Sequence, residues 1–208
     1  MKLYEFAPTR SIRVRWTLQE LGVPFESVVV NLSENAHKRP EFLRVNPAGK
    51  IPVLDDEGFV LTESAAIVRY LAEKYPEHRL WPTTLRTRAE ADRWLLFAVT
   101  ELEQPLWRIA RHTFVYPEHQ RIPADAQIAG REAKDMAIVL ERHMRDREFI
   151  AGDHVTVADF VTAYTLDWAN EEQLLDDTPA LRAYMTRMYA RPKAPLRISA
   201  ALASLGLG

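Results

Sequence analysis

The pattern of apolar residues changes once along this chain, near residue 80, and that change limits the fold more than any other feature. Before it, short runs with the two-residue period of a strand alternate with helical stripes. Lys2-Leu3-Tyr4-Glu5-Phe6 alternates strictly, and Glu26-Ser27-Val28-Val29-Val30 is β-branched and reads as a buried strand. Between them, apolar residues at 14, 18 and 21 form a helical stripe over Ser11 to Leu21, stopped by Gly22 and Pro24. Strand, helix, strand in that order predicts parallel pairing. Ile51-Pro52-Val53-Leu54 and Phe59-Val60-Leu61, joined by Asp55-Asp56-Glu57-Gly58, read as a hairpin, and Ala65 to Ala72 as a closing helix.

A proline-punctuated stretch from Tyr75-Pro76 to Pro82 reads as a linker. From Arg86 on, every substantial pattern is helical. Trp94, Leu95, Ala98, Leu102, Leu106 and Ile109 recur at three- and four-residue steps, with Pro105 placed to kink that helix. Further stripes run through Ala126 to Met144, Val157 to Leu166, Ala180 to Tyr189 and Leu196 to Leu205. Residues 1–80 are therefore expected to form an α/β domain, and residues 86–208 an all-helical one.

Composition removes several function classes. The 208 residues include no cysteine, which excludes disulfides, a thiolate nucleophile and cysteine-ligated metals. The histidines at 37, 78, 112, 119, 143 and 154 have no ligand-pair spacing, so no metal site is expected. A formal net charge of -2 points to neither a nucleic-acid nor a membrane-surface partner. No apolar run approaches the about 18 residues of a membrane span. Met1-Lys2-Leu3-Tyr4-Glu5-Phe6 does not read as a signal peptide, which makes the cytoplasm the expected compartment.

Three motifs then stand in order. Asn46-Pro47-Ala48-Gly49-Lys50-Ile51-Pro52-Val53-Leu54 resembles the loop before the third strand of the glutathione transferases. Glu63-Ser64, followed by Ala65-Ala66-Ile67-Val68-Arg69-Tyr70-Leu71, resembles their γ-glutamyl site and the helix after it. Thr156-Val157-Ala158-Asp159 resembles the N-capping box of their second domain. The resemblance spans nearly the whole chain. It implies a thioredoxin-like βαβ-ββα domain that holds glutathione, then an all-helical bundle domain supplying the second substrate's pocket. It also implies a homodimeric detoxification enzyme that conjugates glutathione to a small hydrophobic electrophile.

Each motif has a physical reading beside the resemblance. Pro52 cannot donate to a ladder, so it suits the first residue of a strand. A cis Ile51–Pro52 bond would present the main chain of Ile51 to a peptide-like ligand, and the resemblance assigns it the cysteinyl residue of glutathione. Ser64 precedes an unbroken helical run and reads as its N-cap. The unpaired N–H groups and partial positive charge of a helix N-terminus suit a carboxylate. Glutathione's γ-glutamyl carboxylate is such an anion, and Glu63 could meet its ammonium. Lys38, Arg39 and Lys50 are candidates for the glycyl carboxylate. Thr156 and Asp159 fit a reciprocal capping box, a structural role.

The resemblance implies that the protein lowers the pKa of glutathione's own thiol, which a hydroxyl or N–H donor near a helix N-terminus would do. The turn after the first strand reads Ala7-Pro8-Thr9-Arg10-Ser11. Aligned backward from Gly22, Ser11 falls beside the hydroxyl or thiol position of some bacterial members, with Arg10 where a cysteine would lie. The theta-type serine position falls on Pro8, a departure from the pattern. Ser11 is thus the first candidate, Thr9 the second and the turn's backbone N–H groups the third. Trp107, Arg111, His112, Phe114 and Tyr116 are candidates for an apolar electrophile's pocket. Two other readings stay open: a glutathione-dependent peroxidase or thiol-transferase, and a non-catalytic interaction module on the same fold. The absence of cysteine counts against exchange through a protein thiol.

Overall fold

Alternation along β1 (Lys2–Glu5) turns Leu3 and Glu5 to one side, and both are buried. The computed structural model describes residues 1–206. It divides into two units, one running from Met1 to Trp81 and resuming at Arg191, the other from Pro82 to Ala190.

In the first unit, β1 leads through α1 (Ser11–Leu21) to β2 (Glu26–Val29), which pairs with β1 in parallel, Lys2 opposite Glu26. Gly22 ends α1 at φ 66°, where its N–H returns to the Gln19 carbonyl. A left-handed residue at this position is what glycine supplies without steric cost. A short helix α2 (Pro40–Leu43), absent from the sequence expectation, follows. Its Phe42 packs under the sheet with Val30 and Val53. β3 (Val53–Asp56) and β4 (Phe59–Thr62) form the hairpin, and α3 (Ser64–Lys74) follows it and packs on α1. The two-residue loop has Glu57 at φ 55° and Gly58 at φ 93°, and the Gly58 N–H donates to Asp55 Oδ1 at 2.8 Å. Positive φ at both central positions matches the right-handed twist of the flanking strands.

The strand order is β2-β1-β3-β4, with β3 antiparallel to both neighbours. This corrects one expectation. β2 is an edge strand, and Val29 is 68% exposed rather than buried. β-branched composition marks extended backbone, but it does not tell a central strand from an edge one.

In the second unit α4 (Leu85–Phe97) runs through a π turn at Ala98–Leu102 into α5 (Glu103–Ala110), and a second π turn occupies Arg111–Val115. Pro105 cannot donate to the carbonyl of Glu101, four residues back. That carbonyl lies in the first π turn, where helical bonds already run one residue longer. α6 (Pro123–Met144), α7 (Val157–Glu171) and α8 (Pro179–Tyr189) complete the unit. α7 is buried on nearly every side and contacts α4, α5 and α8. Glu141 on α6 accepts from the N–H groups of Ala180 and Leu181, so its carboxylate occupies the positive end of α8.

Thr156 caps α7 reciprocally with Asp159. Asp159 Oδ2 accepts from the Thr156 N–H at 2.8 Å and its hydroxyl at 3.0 Å. Its Oδ1 accepts from the Ile150 N–H and the Tyr184 hydroxyl, both at 2.8 Å. Burial pushes the Asp159 carboxyl up, and these four donors pull it back.

The last helix, α9 (Ile198–Ser204), was expected to belong to the helical domain. The chain from Arg191 instead gathers with the first unit. Arg191 donates to both carboxylate oxygens of Glu20 on α1, at 2.8 and 3.0 Å, and Lys193 Nζ donates to the Glu20 carbonyl at 3.1 Å. The helical period identified α9, but period carries no information on which neighbour covers its apolar face.

Candidate functional site

The turn after β1 is held by its own side chains. The Ala7–Pro8 bond is cis. The Thr9 hydroxyl donates to the Phe6 carbonyl at 2.6 Å and lies 2.9 Å from the Ser11 hydroxyl. Thr9 has one hydroxyl proton, and it goes to Phe6; Ser11 is therefore the donor to Thr9. The Phe6 N–H reaches Ser11 Oγ at 3.4 Å, and the Ser11 N–H reaches Thr9 Oγ1 at 3.3 Å. Ser11 is buried and begins α1, while Thr9 is half-buried. Both hydroxyl protons are thus spent inside the turn.

The loop before β3 wraps around one buried side chain. Asn46 Nδ2 donates to the Lys50 carbonyl at 2.6 Å, and Asn46 Oδ1 accepts from the Ala48 N–H at 3.1 Å. Gly49 takes φ 60°, and a Cβ there would stand 3.1 Å from the His37 carbonyl. Two constraints, conformation and space, thus select glycine at this point. The loop leads into a cis Ile51–Pro52 bond, with Pro52 buried immediately before β3. His37, on the neighbouring 3-10 turn Ala36–Lys38, keeps its Nδ1 buried without a partner. Burial, with help from Lys38, holds its imidazole below the usual histidine range. Lys38 and Lys50 are exposed.

α3 starts differently from the sequence expectation. Glu63 is the N-cap residue, at φ 66° and ψ 110°, and Ser64 is the first residue of the helix. A non-glycine residue in that region stores about 1–3 kcal/mol of strain and persists only where its surroundings hold it. Ser64 instead uses its hydroxyl oxygen to accept from Arg13 Nη1, at 3.1 Å, and both residues are buried. Sequence reasoning passed over Arg13. Its signal was a charged residue one turn before Thr17 on a helix that is covered on two sides; Thr17 is fully buried and bonds back to the Arg13 carbonyl at 2.9 Å.

The second π turn organises the candidate pocket residues of the helical unit. Arg111 Nη1 stands 3.5 Å from the Tyr116 hydroxyl, with the guanidinium 5.9 Å from that ring's centroid. The His112 ring meets the same tyrosine edge-on at 5.3 Å. His112 is already engaged: Nδ1 accepts from the Ile122 N–H at 3.1 Å, and Nε2 faces Asp125 at 3.2 Å. Asp125 is also bound by Arg108, whose hydrogen bonds hold its carboxyl below the usual range. The structure thus gathers Arg111, His112 and Tyr116. Phe114 is 65% exposed, and Trp107 is half-buried on α5. Among the described residues, no group of three or more His, Asp or Glu is arranged to hold a metal ion. No helix among them is long and apolar enough to cross a membrane.

The family model for the glutathione S-transferase N-terminal domain matches residues 1–73, and that for the C-terminal domain matches residues 104–192. The chain belongs to the glutathione S-transferase family. It is an enzyme of that family, with the thioredoxin-like and all-helical pair of domains. Glutathione S-transferase F10 of Arabidopsis thaliana is 33% identical over 202 residues, 92% of this chain and 94% of the relative. The glutathione transferase URE2P5 of Phanerochaete chrysosporium superposes with a TM-score of 0.84 at 29% identity, covering 99% of this chain and 94% of that one. A glutathione transferase family member from Pseudomonas fluorescens Pf-5, solved with two glutathione bound, gives a TM-score of 0.83 at 27% identity, covering 93% and 89%. In this glutathione S-transferase the N-terminal match contains the Thr9–Ser11 turn, the Ile51–Pro52 loop and the Arg13–Ser64 pair. The C-terminal match contains the π turn at Arg111 and the α7 cap.

Proposed function

We propose that this transferase conjugates the glutathione thiolate to small hydrophobic electrophiles, as a cytoplasmic homodimer. The observation that carries the reading is the start of α3. There Arg13 donates to the Ser64 oxygen, which leaves the serine's own proton for a ligand, beside the N-terminal N–H groups of the helix. A γ-glutamyl carboxylate fits that set, and the exposed Glu63 suits its ammonium. Ile51 would pair through its main chain with the cysteinyl residue. His37, Lys38 and Lys50 would take the glycyl carboxylate, giving the unpartnered Nδ1 of His37 an occupation.

Thiol activation falls to the turn at Thr9. For a hydroxyl to stabilise sulfur it must release a proton from its present acceptor. Thr9 is the more accessible hydroxyl, and its release from Phe6 leaves the Ser11 bond intact. Thr9 is therefore the donor to the thiolate, and Ser11, donating to Thr9, positions it and sharpens its acidity. The sulfur then attacks the electrophilic carbon. A C–S bond forms, and the electron pair leaves with a halide or opens an epoxide C–O bond. Within the helical unit, Arg111, Tyr116, Phe114 and Trp107 present cationic and aromatic surface of the kind that binds apolar electrophiles, with His112 holding Tyr116 edge-on. Phe59, 53% exposed on edge strand β4, supports a protein partner, and a second copy is the partner proposed.

A panel of aryl halides, epoxides, isothiocyanates and hydroperoxides, each assayed with glutathione, tests this reading. Conjugation of an aryl halide, epoxide or isothiocyanate is expected; turnover of hydroperoxides alone, which are reduced rather than conjugated, would make the protein a glutathione peroxidase. Retention on immobilised glutathione with no turnover of any panel member would replace the enzyme with a binding module.

A further inference from the structure

Asn46 is 5% exposed, and both ends of its carboxamide are engaged within its own loop. Oδ1 accepts from the Ala48 N–H at 3.1 Å, and Nδ2 donates to the Lys50 carbonyl at 2.6 Å. Closing the loop does not require this side chain. The Gly49 N–H already returns to the Asn46 carbonyl at 2.9 Å, and the Asn46 N–H is tied to the Phe42 carbonyl, also at 2.9 Å. What the carboxamide adds is a fixed direction for the Lys50 carbonyl.

That direction passes to the next residue. The Lys50–Ile51 bond is trans, and a planar trans peptide points its C=O and its N–H to opposite sides. Holding the Lys50 carbonyl on the buried Asn46 therefore turns the Ile51 N–H away from it. Among the described residues, neither the N–H nor the C=O of Ile51 has a hydrogen-bond partner. The Ile51 side chain packs against Val30, Phe42 and Val53, so the residue is held while its main chain stays open to a ligand. The bond at Lys50 also polarises the shared peptide group, which makes the Ile51 N–H a stronger donor.

We infer that Asn46 is a positioning residue for glutathione: through the Lys50–Ile51 peptide it aims and strengthens the N–H that donates to the cysteinyl carbonyl. The inference rests on the glutathione site proposed above, in which Ile51 pairs with the cysteinyl residue through its main chain.

Two probes separate positioning from folding. γ-Glutamylcysteinamide and γ-glutamylcysteamine both carry the γ-glutamyl group and the thiol, but only the first has the cysteinyl carbonyl. Calorimetry on the full-length protein should show the first binding about tenfold more tightly, the effect of one hydrogen bond. Asn46→Asp keeps an acceptor for Ala48 but cannot donate to Lys50, and Asn46→Ala removes both bonds. In each variant the preference should fall below about threefold, with affinity for γ-glutamylcysteamine unchanged. In the parent, the Asn46 carboxamide protons should shift in NMR spectra on binding the first probe and not the second, a readout that needs no variant. Discrimination that survives both substitutions, equal weakening of both probes, or carboxamide signals indifferent to the first probe each overturns the role of Asn46. Equal affinity of the parent for the two probes would remove the Ile51 pairing and this role while leaving the site. Binding of neither would remove the glutathione site itself, and this role with it.

Discussion

Arg13 and Ser64, 51 positions apart in the chain, meet inside the first unit, where the guanidinium donates to the serine oxygen at 3.1 Å. A buried cation on α1 thereby sets the direction of a hydroxyl at the start of α3. Ser64→Ala should weaken glutathione binding by about 1–3 kcal/mol, the scale of a hydrogen bond to a charged group. Arg13→Met should weaken it too, and the double variant should lose less than the sum, because both act through one hydroxyl. Calorimetry on folded variants reads all three values. Strictly additive losses would mean that Arg13 does not act through Ser64.

The Thr9–Ser11 pair gives a second test, followed by ultraviolet absorbance of the bound thiolate. Thr9→Val should raise the pKa of bound glutathione by about one unit, equivalent to about 1.4 kcal/mol. Ser11→Ala should raise it less and should add nothing in the Thr9→Val background. A larger shift from Ser11→Ala would make Ser11 the direct donor. No shift from either would leave activation to the backbone N–H groups and the helix dipole.

Much of the local structure around the candidate site lay open in the sequence, and the reasons are local. α1 runs over Ser11–Leu21 because apolar positions 14, 18 and 21 share a face and Gly22 supplies the left-handed stop. Thr156 and Asp159 could be paired because a capping box needs only a three-residue spacing. What escaped was set by distant groups. Serine's preference for the N-cap predicts Ser64 there, but the hydroxyl is claimed by Arg13, and Glu63 takes the cap at positive φ. The stripe from Trp94 to Ile109 hides two π turns, since one extra residue in a turn leaves three- and four-residue steps intact.

Asp159 concentrates the stability of the helical unit. Asp159→Asn keeps its shape but turns an N–H₂ group toward two of the four donors. Leaving a buried donor unmet costs about 1–3 kcal/mol, so a loss of about 3 kcal/mol is expected in urea unfolding. Glutathione affinity per folded molecule should stay unchanged. A variant as stable as the parent but catalytically dead would place Asp159 in the reaction instead.

His143 makes the same unit sensitive to mild acid. Its ring stacks on Trp94 with centroids 3.9 Å apart and lies 2.8 Å, through Nε2, from the Ile150 carbonyl. Burial, chiefly, lowers its pKa from the usual value. The unfolded chain therefore binds the proton more readily. The stability from neutral His143 is present above pH about 6.5 and is lost as the pH falls toward the lowered folded value. Urea midpoints measured from pH 7.5 down to 5 should fall less steeply in His143→Gln than in the parent. Equal slopes would remove His143 as the source.

The return of the chain at Arg191 to Glu20 also has a meaning for synthesis. As the chain leaves the ribosome, β1 to α3 emerge first, but α1 lacks its partner for Glu20 until the whole helical unit has followed. A fragment ending at Trp81 would be an incomplete version of this unit, whereas residues 82–190 emerge as one uninterrupted stretch. The unit that carries the Arg13–Ser64 grip is thus the first to begin folding and the last to be completed.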